Sequence, residues 1–285
     1  MSDAFKRSVG RTPLVRISDK LYAKLETYNP TGSVKDRMIS FVVEEAVRRG
    51  EIGPGTMLCD ATSGNTGIAL SAVAASMGHP CKIFMPENMS EERKQMMRVF
   101  GAEIVDAPAD DFDAAIAMRD QFLRSNNNSW SPMQFSNPDN IRCHRTRTAP
   151  EIHSQVNDMK VTWSAFIHGS GTGGTIEGVR QYVEEKGLVT KVCMTVPAES
   201  PHGIQGIGDG RDFLANPDDM TEVIVIETES AIQRAKDFAK STGLLVGISS
   251  GANLLASERY IDNNEVEGVV VTMLCDRGER YMSIY

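Results

Sequence analysis

Residues 165–185 read AFIHGSGTGGTIEGVRQYVEE, and this stretch decides the fold. Positions 165–168 are a short apolar run with strand character. Positions 176–185 carry apolar residues at helical spacing, at Ile176, Val179 and Val183. Between them lie four glycines and two threonines, more small residues than a turn requires. A strand entering a helix through such a loop is half of a β–α unit, and the pattern recurs along the chain. Strands are expected at 21–26, 57–61, 81–85, 103–105, 192–196, 222–226 and 268–273. Helices are expected at 38–49, 68–77, 90–100, 111–124, 231–240 and from 253 onward. Such alternation predicts parallel sheets covered by helices on both faces.

The loop itself predicts chemistry. Successive backbone N–H groups at a helix start form a nest for a phosphate-sized anion. Gly169, Gly171 and Gly174 match the dinucleotide pattern formally. The next acid suited to a ribose is Glu199, later than that pattern places it, and no G-K-[ST] follows. Three more loops enter helices. Asn29–Arg37 reads NPTGSVKDR, with Ser33 as the expected N-cap and Lys35 in the first turn, where the helix dipole disfavours positive charge. That setting favours a nucleophilic amine, although a surface lysine beside Asp36 would fit the same letters. Thr62–Gly67 reads TSGNTG and 247–252 reads GISSGA, each also compatible with a plain capped βα loop. Together, one phosphate nest, one activatable lysine and two hydroxyl or amide loops suit pyridoxal phosphate better than a nicotinamide cofactor.

The composition narrows the partners. The chain has 285 residues, with 30 basic against 38 acidic side chains and a net charge of −8. That balance offers no electrostatic footprint for nucleic acid or an anionic membrane. Cys59, Cys81, Cys143, Cys193 and Cys275 are widely spaced and form no C-x-x-C pair, which predicts free thiols in a reducing compartment. The histidines form no metal-ligand pattern, so no metal site is expected. The first residues lack a signal-peptide core, and the longest weakly apolar run, 68–77, is half a membrane span. A cytoplasmic protein is the expectation.

Nine blocks then carry a resemblance. NPTGSVKDR (29–37), TSGNTGIAL (62–70), MPENMSEER (85–93), QFSNP (134–138), TAPEI (148–152), GSGTGGT (169–175), IQGIGDG (204–210), GISSGA (247–252) and GERYMS (278–283) occur in the order found in cysteine synthases. The chain resembles O-acetylserine sulfhydrylase among the fold-type-II pyridoxal-phosphate enzymes. The resemblance implies an α/β fold of two doubly wound three-layer α/β/α domains with the cofactor in the cleft between them. Residues 39–138 would form a smaller mobile domain, and 1–38 with 139–285 a larger, cofactor-binding one. By the same resemblance Lys35 is the catalytic lysine bound to the cofactor. Gly171, Thr172, Gly173, Gly174 and Thr175 form the phosphate cup, Asn65 holds the cofactor's 3′-oxygen, and Ser249 faces the pyridine nitrogen. Thr62, Ser63, Asn65, Thr66 and Gln134 grip the substrate. The implied reaction makes L-cysteine from O-acetyl-L-serine and sulfide, by β-elimination and β-replacement through an α-aminoacrylate. A homodimer is implied, with the C-terminal peptide of a serine acetyltransferase as a candidate partner.

The chain also departs from that pattern. The stretch 197–202 runs almost directly into IQGIGDG, where relatives carry some twenty further residues, and the sequence stops soon after GERYMS. Both differences are expected to affect oligomer contacts and partner docking. Close alternatives use O-phosphoserine, thiosulfate, homocysteine or cysteine, and a non-catalytic binding homologue is a further one. Neutral Gln205 favours an acetyl ester over a phosphate, whereas Arg211, six residues on, keeps the phosphate alternative open.

Overall fold

The computed structural model describes residues 1–62, 64–208 and 214–285. In chain order the strands are β1 (Leu14–Arg16), β2 (Leu21–Leu25), β3 (Met57–Ala61), β4 (Cys81–Pro86), β5 (Glu103–Ala107), β6 (Ser129–Trp130), β7 (Trp163–Gly169), β8 (Lys191–Pro197), β9 (Glu222–Ile226) and β10 (Val269–Leu274). The helices are α1 (Asp3–Ser8), α2 (Lys35–Arg48), α3 (Asn65–Met77), α4 (Glu91–Val99), α5 (Phe112–Ser125), α6 (Pro138–Cys143), α7 (Ala149–Asp158), α8 (Gly174–Glu185), α9 (Thr228–Thr242) and α10 (Ile248–Asn263). They group into two compact units, 1–10 with 29–133 and 11–28 with 134–285. This grouping differs from the sequence division in carrying 1–10 and 29–38, and so Lys35, with the first unit, and 134–138 with the second.

The first unit has a four-stranded parallel sheet in the order β5-β4-β3-β6. Alternation along the strands splits its core in two. Leu58, Ile83 and Met85 pack with Met38, Ile39, Val42, Ile68, Leu70 and Met97 from α2, α3 and α4. Cys59, Ala61 and Phe84 point the other way, toward Ala115, Phe112 and Phe122 of α5. The period of two in the strands thus calls for a helix layer on each face.

The second unit has six strands in the order β1-β2-β10-β7-β8-β9, all parallel except the β1–β2 pair. Ala165, Ile167, Val270 and Leu274 join Phe238, Ala252 and Tyr260 of α9 and α10. On the opposite face α8 lies against β7 and β8, and α7 against α8. A fully buried aliphatic side chain contributes about 1.5–3 kcal/mol, so these layers hold both sheets.

Several elements differ from the sequence expectation. Helix α10 begins at Ile248, not near 253, because Gly247 enters it in extended conformation and Gly251 lets it press on α9. A Cβ at Gly251 would lie 2.1 Å from the Ala231 carbonyl oxygen. Strands β1 and β6 are too short for a periodic signal. Helices α6 and α7 are joined by one π-helical turn, His144–Thr148, in a stretch where charged residues interrupt the periodicity. Among the described residues, no helix is long and apolar enough to cross a membrane.

Candidate active site

Lys35 is the first residue of α2 and is half-buried. Its loop is held from several directions. Gly32 takes a left-handed φ of 84° and donates its N–H to the Asn29 carbonyl at 2.8 Å. The Asn29 side chain accepts the Gly10 N–H at 2.9 Å. Asp36 is fully buried and its carboxylate turns back to Thr31. Val34, already in helical conformation, occupies the cap position expected for Ser33. The Ser33 hydroxyl accepts the Lys35 N–H two residues on, at 3.3 Å, the bond a serine N-cap makes when the residue after it is already helical.

The second loop leaves β3. Thr62 donates its N–H to the Phe84 carbonyl at 3.1 Å, and its Oγ1 accepts the Gly64 N–H at 3.2 Å. Thr62 and Thr66 are buried and Asn65 is half-buried at the start of α3. A methyl group at Gly67 would come within 2.8 Å of both Met97 Cε and Thr62 Cγ2, so a larger residue there would push these two side chains aside. The buried Arg93 side chain lies against Gly64, where a methyl group would be 3.2 Å from its Nε. Ser63 and Arg211 lie outside the described residues.

In the second unit the glycine loop links β7 to α8, with Gly173 at the cap in left-handed conformation, φ 85°. Every glycine from 171 to 174 is closely approached. Added methyl groups would lie 2.6 Å from the Gly206 oxygen at Gly171, 2.5 Å from the Ala215 nitrogen at Gly173, and 2.0 Å from Asn140 Oδ1 at Gly174. Asn140 Nδ2 donates to Thr172 Oγ1 and to the Gln134 carbonyl, each at 2.9 Å. The Gly174 N–H reaches the same Thr172 oxygen at 3.4 Å. Thr175 Oγ1 is 3.3 Å from Nε2 of buried His144, whose Nδ1 is 3.0 Å from Thr148 Oγ1. Ser249, buried in the first turn of α10, is brought to the cup by the 204–208 segment. Gly206 abuts Gly171 with its carbonyl, and a methyl group on its Cα would lie 3.2 Å from Ser249 Oγ.

Lys35, Thr62, Asn65 and Thr66 therefore belong to the first unit, and Gln134, residues 171–175 and Ser249 to the second. Asn140, His144 and Arg93 were not anticipated from the sequence. Asn140 stands two residues after the QFSNP block, which is the only signal that pointed toward it. The thiols of Cys59, Cys81 and Cys193 are pushed up to about 12 by burial, which removes them as nucleophiles at neutral pH. Among the described residues, no three His, Cys, Asp or Glu side chains gather as metal ligands.

The family described as pyridoxal-phosphate dependent enzyme matches residues 5–276. The chain belongs to this family. It is an α/β enzyme of fold type II and uses pyridoxal phosphate. A cysteine synthase of Staphylococcus aureus (strain Mu50) is 34% identical over 300 residues, covering 99% of this chain and 96% of that protein. The hydrogen sulfide-producing enzyme of Fusobacterium nucleatum has 35% identity and a TM-score of 0.92, covering 99% of this chain and 90% of its own. The O-acetylserine-dependent cystathionine β-synthase of Helicobacter pylori has 30% identity and a TM-score of 0.90, covering 100% and 98%. This pyridoxal-phosphate enzyme is thus similar to proteins that share a cofactor and differ in substrate.

Proposed function

We propose that this enzyme is a cysteine synthase, making L-cysteine from O-acetyl-L-serine and sulfide by β-elimination and β-replacement. The observation that carries the reading is the pairing, within one unit, of a glycine-built anion cup with the Ser249 hydroxyl across Gly206. The cup suits the cofactor's phosphate. Thr172 Oγ1 already accepts two hydrogen bonds, so its own proton is left to donate to an anion. Gly171, Gly173 and Gly174 are too closely approached for a side chain, which leaves backbone N–H groups beside the Thr172 hydroxyl to face the phosphate.

The cofactor, when bound, supplies a ring that withdraws electrons from the substrate's α-carbon. Lys35 would hold the cofactor by its Nζ, and the same amine would be the base that takes the substrate's α-proton. Asn65 holds the cofactor's 3′-oxygen. A neutral hydroxyl at Ser249, where a carboxylate would enforce protonation of the ring, keeps electron withdrawal modest and favours loss of a β-leaving group. Thr62, Ser63, Asn65, Thr66 and Gln134 hold the substrate carboxylate with neutral donors, reinforced by the N-terminal amides of α3.

A second reading, release of sulfide from cysteine, is favoured by the likeness to the Fusobacterium enzyme. Steady-state turnover of O-acetylserine, O-phosphoserine, serine and cysteine, with and without sulfide or homocysteine, separates the two. The synthase reading requires O-acetylserine with sulfide to give the highest kcat/KM; preference for cysteine alone overturns it. We also take a homodimer as the working form, for which sedimentation at micromolar concentration is the check.

A further inference from the structure

Strand β7 keeps its partner β8 as far as Gly169↔Thr195, and β10 keeps β2 as far as Leu274↔Leu25. Between β7 and β10 themselves, register ends at Phe166↔Val271. The sheet therefore forks toward the carboxyl ends of its two central strands. The fork is also where strand order reverses, since β8 and β9 extend to one side of β7, while β10 and β2 lie on the other. In open α/β sheets that crevice is where ligands bind.

A fork leaves backbone groups that the ladder no longer pairs, and buried ones need other partners. Thr272 Oγ1 donates to the Ile167 carbonyl at 2.7 Å. Beyond it, one side chain from α10 spans the gap. Asn253 Oδ1 accepts the Gly169 N–H at 2.8 Å, and Nδ2 donates to the Met273 carbonyl at 2.9 Å. His168 Nδ1 at 3.2 Å and Cys275 Sγ at 3.4 Å compete for the second Nδ2 hydrogen, since an amide has only two. Asn253 is fully buried and lies one helical turn after Ser249, on the same side of α10. Gly169, which it holds, opens the loop that leads to the phosphate cup.

We propose that Asn253 is a positioning residue that sets the distance between the phosphate cup and the Ser249 hydroxyl by bridging the β7–β10 fork. This rests on the roles proposed above for the cup and Ser249. An apolar side chain there takes from the Gly169 N–H its Asn253 acceptor and leaves the Met273 carbonyl only the long contact from Cys275 Sγ at 3.8 Å, so the fork relaxes. Aspartate keeps the acceptor for Gly169 and, when ionised, loses the donor for Met273.

The test compares reconstituted wild type, Asn253→Leu and Asn253→Asp by cofactor dissociation constant and by the visible circular dichroism of bound pyridoxal phosphate, with thermal melting of each apoprotein alongside. Asn253→Leu is expected to weaken cofactor binding about tenfold or more and to lose over about half of the visible dichroism, with Asn253→Asp between it and wild type. A lower melting temperature with wild-type affinity and dichroism would mean a merely structural role and overturn the proposal. If the leucine variant does not fold, the aspartate variant decides alone: an affinity and dichroism equal to wild type overturn the proposal, and weakened values uphold it. Wild type that takes up no cofactor would instead overturn the reading on which the proposal rests.

Discussion

The Asp36 carboxylate accepts both the backbone N–H and the hydroxyl of Thr31, at 2.8 and 2.6 Å, and so folds the loop before Lys35 back onto the start of its own helix. Asp36, the neighbour of Lys35 in the sequence, is buried and holds the turn in shape. Buried hydrogen bonds to a charged group are worth about 1.5–3 kcal/mol each, so Asp36→Ala should destabilise by about 3 kcal/mol or more. Asp36→Asn keeps one acceptor oxygen and should lose roughly half as much. Urea unfolding of the two variants gives the comparison, and equal losses would show that the Thr31 bonds do not carry the effect.

Lys35→Ala should abolish turnover while leaving the fold intact, because Lys35 is half-buried at a helix start and lies outside both core clusters of its unit. Borohydride treatment of wild type followed by peptide mapping should find the cofactor attached to Lys35. Attachment at another lysine would remove Lys35 from the mechanism.

Ser249→Ala and Gly173→Asp should separate affinity from electronics. Gly173 needs a left-handed backbone and lies 2.5 Å, measured from an added methyl, from the Ala215 nitrogen. A charged side chain there both strains the turn and repels the phosphate, so cofactor should be lost. Ser249 offers one neutral bond, worth about 1 kcal/mol, so its alanine variant should retain cofactor and lose turnover. Cofactor content after dialysis measures the first effect and steady-state rates the second. Gly173→Asp that stays loaded while Ser249→Ala empties would exchange the two roles.

The pH dependence of stability should carry the signature of Asp60. Burial raises its pKa from 3.8 to about 6, opposed by the Arg119 guanidinium at 3.4 Å and the Ser131 hydroxyl at 3.3 Å. An acid whose pKa is higher in the folded state binds its proton more readily there. Its contribution is therefore most favourable below the unfolded value and declines as pH rises through the interval from 3.8 to about 6. Asp60→Asn removes that titration. Relative to the variant, wild type should lose about 2–3 kcal/mol between pH 4 and 7, since each pH unit separating the folded and unfolded pKa values is worth about 1.4 kcal/mol. Chemical denaturation at several pH values tests the sign, and a constant difference would place the native pKa near its unfolded value.

Much of the architecture was legible because buried parallel strands and their covering helices imprint two periods on the chain. β7, β8 and α8 lie within three residues of where hydrophobic spacing places them. The start of α10 was not, since GISSGA has the composition of a loop and only its close packing on α9 makes it helical. The glycine cup stood out because it needs many small residues in succession. Asn140 and Asn253 did not, because one buried amide resembles any exposed asparagine in sequence and its role depends on which backbone groups a distant strand leaves unpaired.

Gln134 and Asn140 provide a final separation, between substrate and cofactor. The link from Gln134 toward the cup runs through its backbone carbonyl, which accepts from Asn140 Nδ2, while the other bond of that amide goes to Thr172 Oγ1. Removing the Gln134 side chain leaves this chain of bonds in place. Gln134→Ala should therefore weaken amino-acid binding by about 1–3 kcal/mol, the usual effect of deleting a partner of a charged group, and leave cofactor affinity unchanged. Asn140→Ala should do the reverse. It frees the Thr172 hydroxyl to rotate away from the phosphate and opens space beside Gly174, where Asn140 Oδ1 now sits. Titration with O-acetylserine, read from the cofactor's visible band, gives the first affinity, and reconstitution of apoprotein gives the second. If Gln134→Ala lowered cofactor affinity as much as Asn140→Ala, the glutamine side chain would belong to the cup and not to the substrate grip.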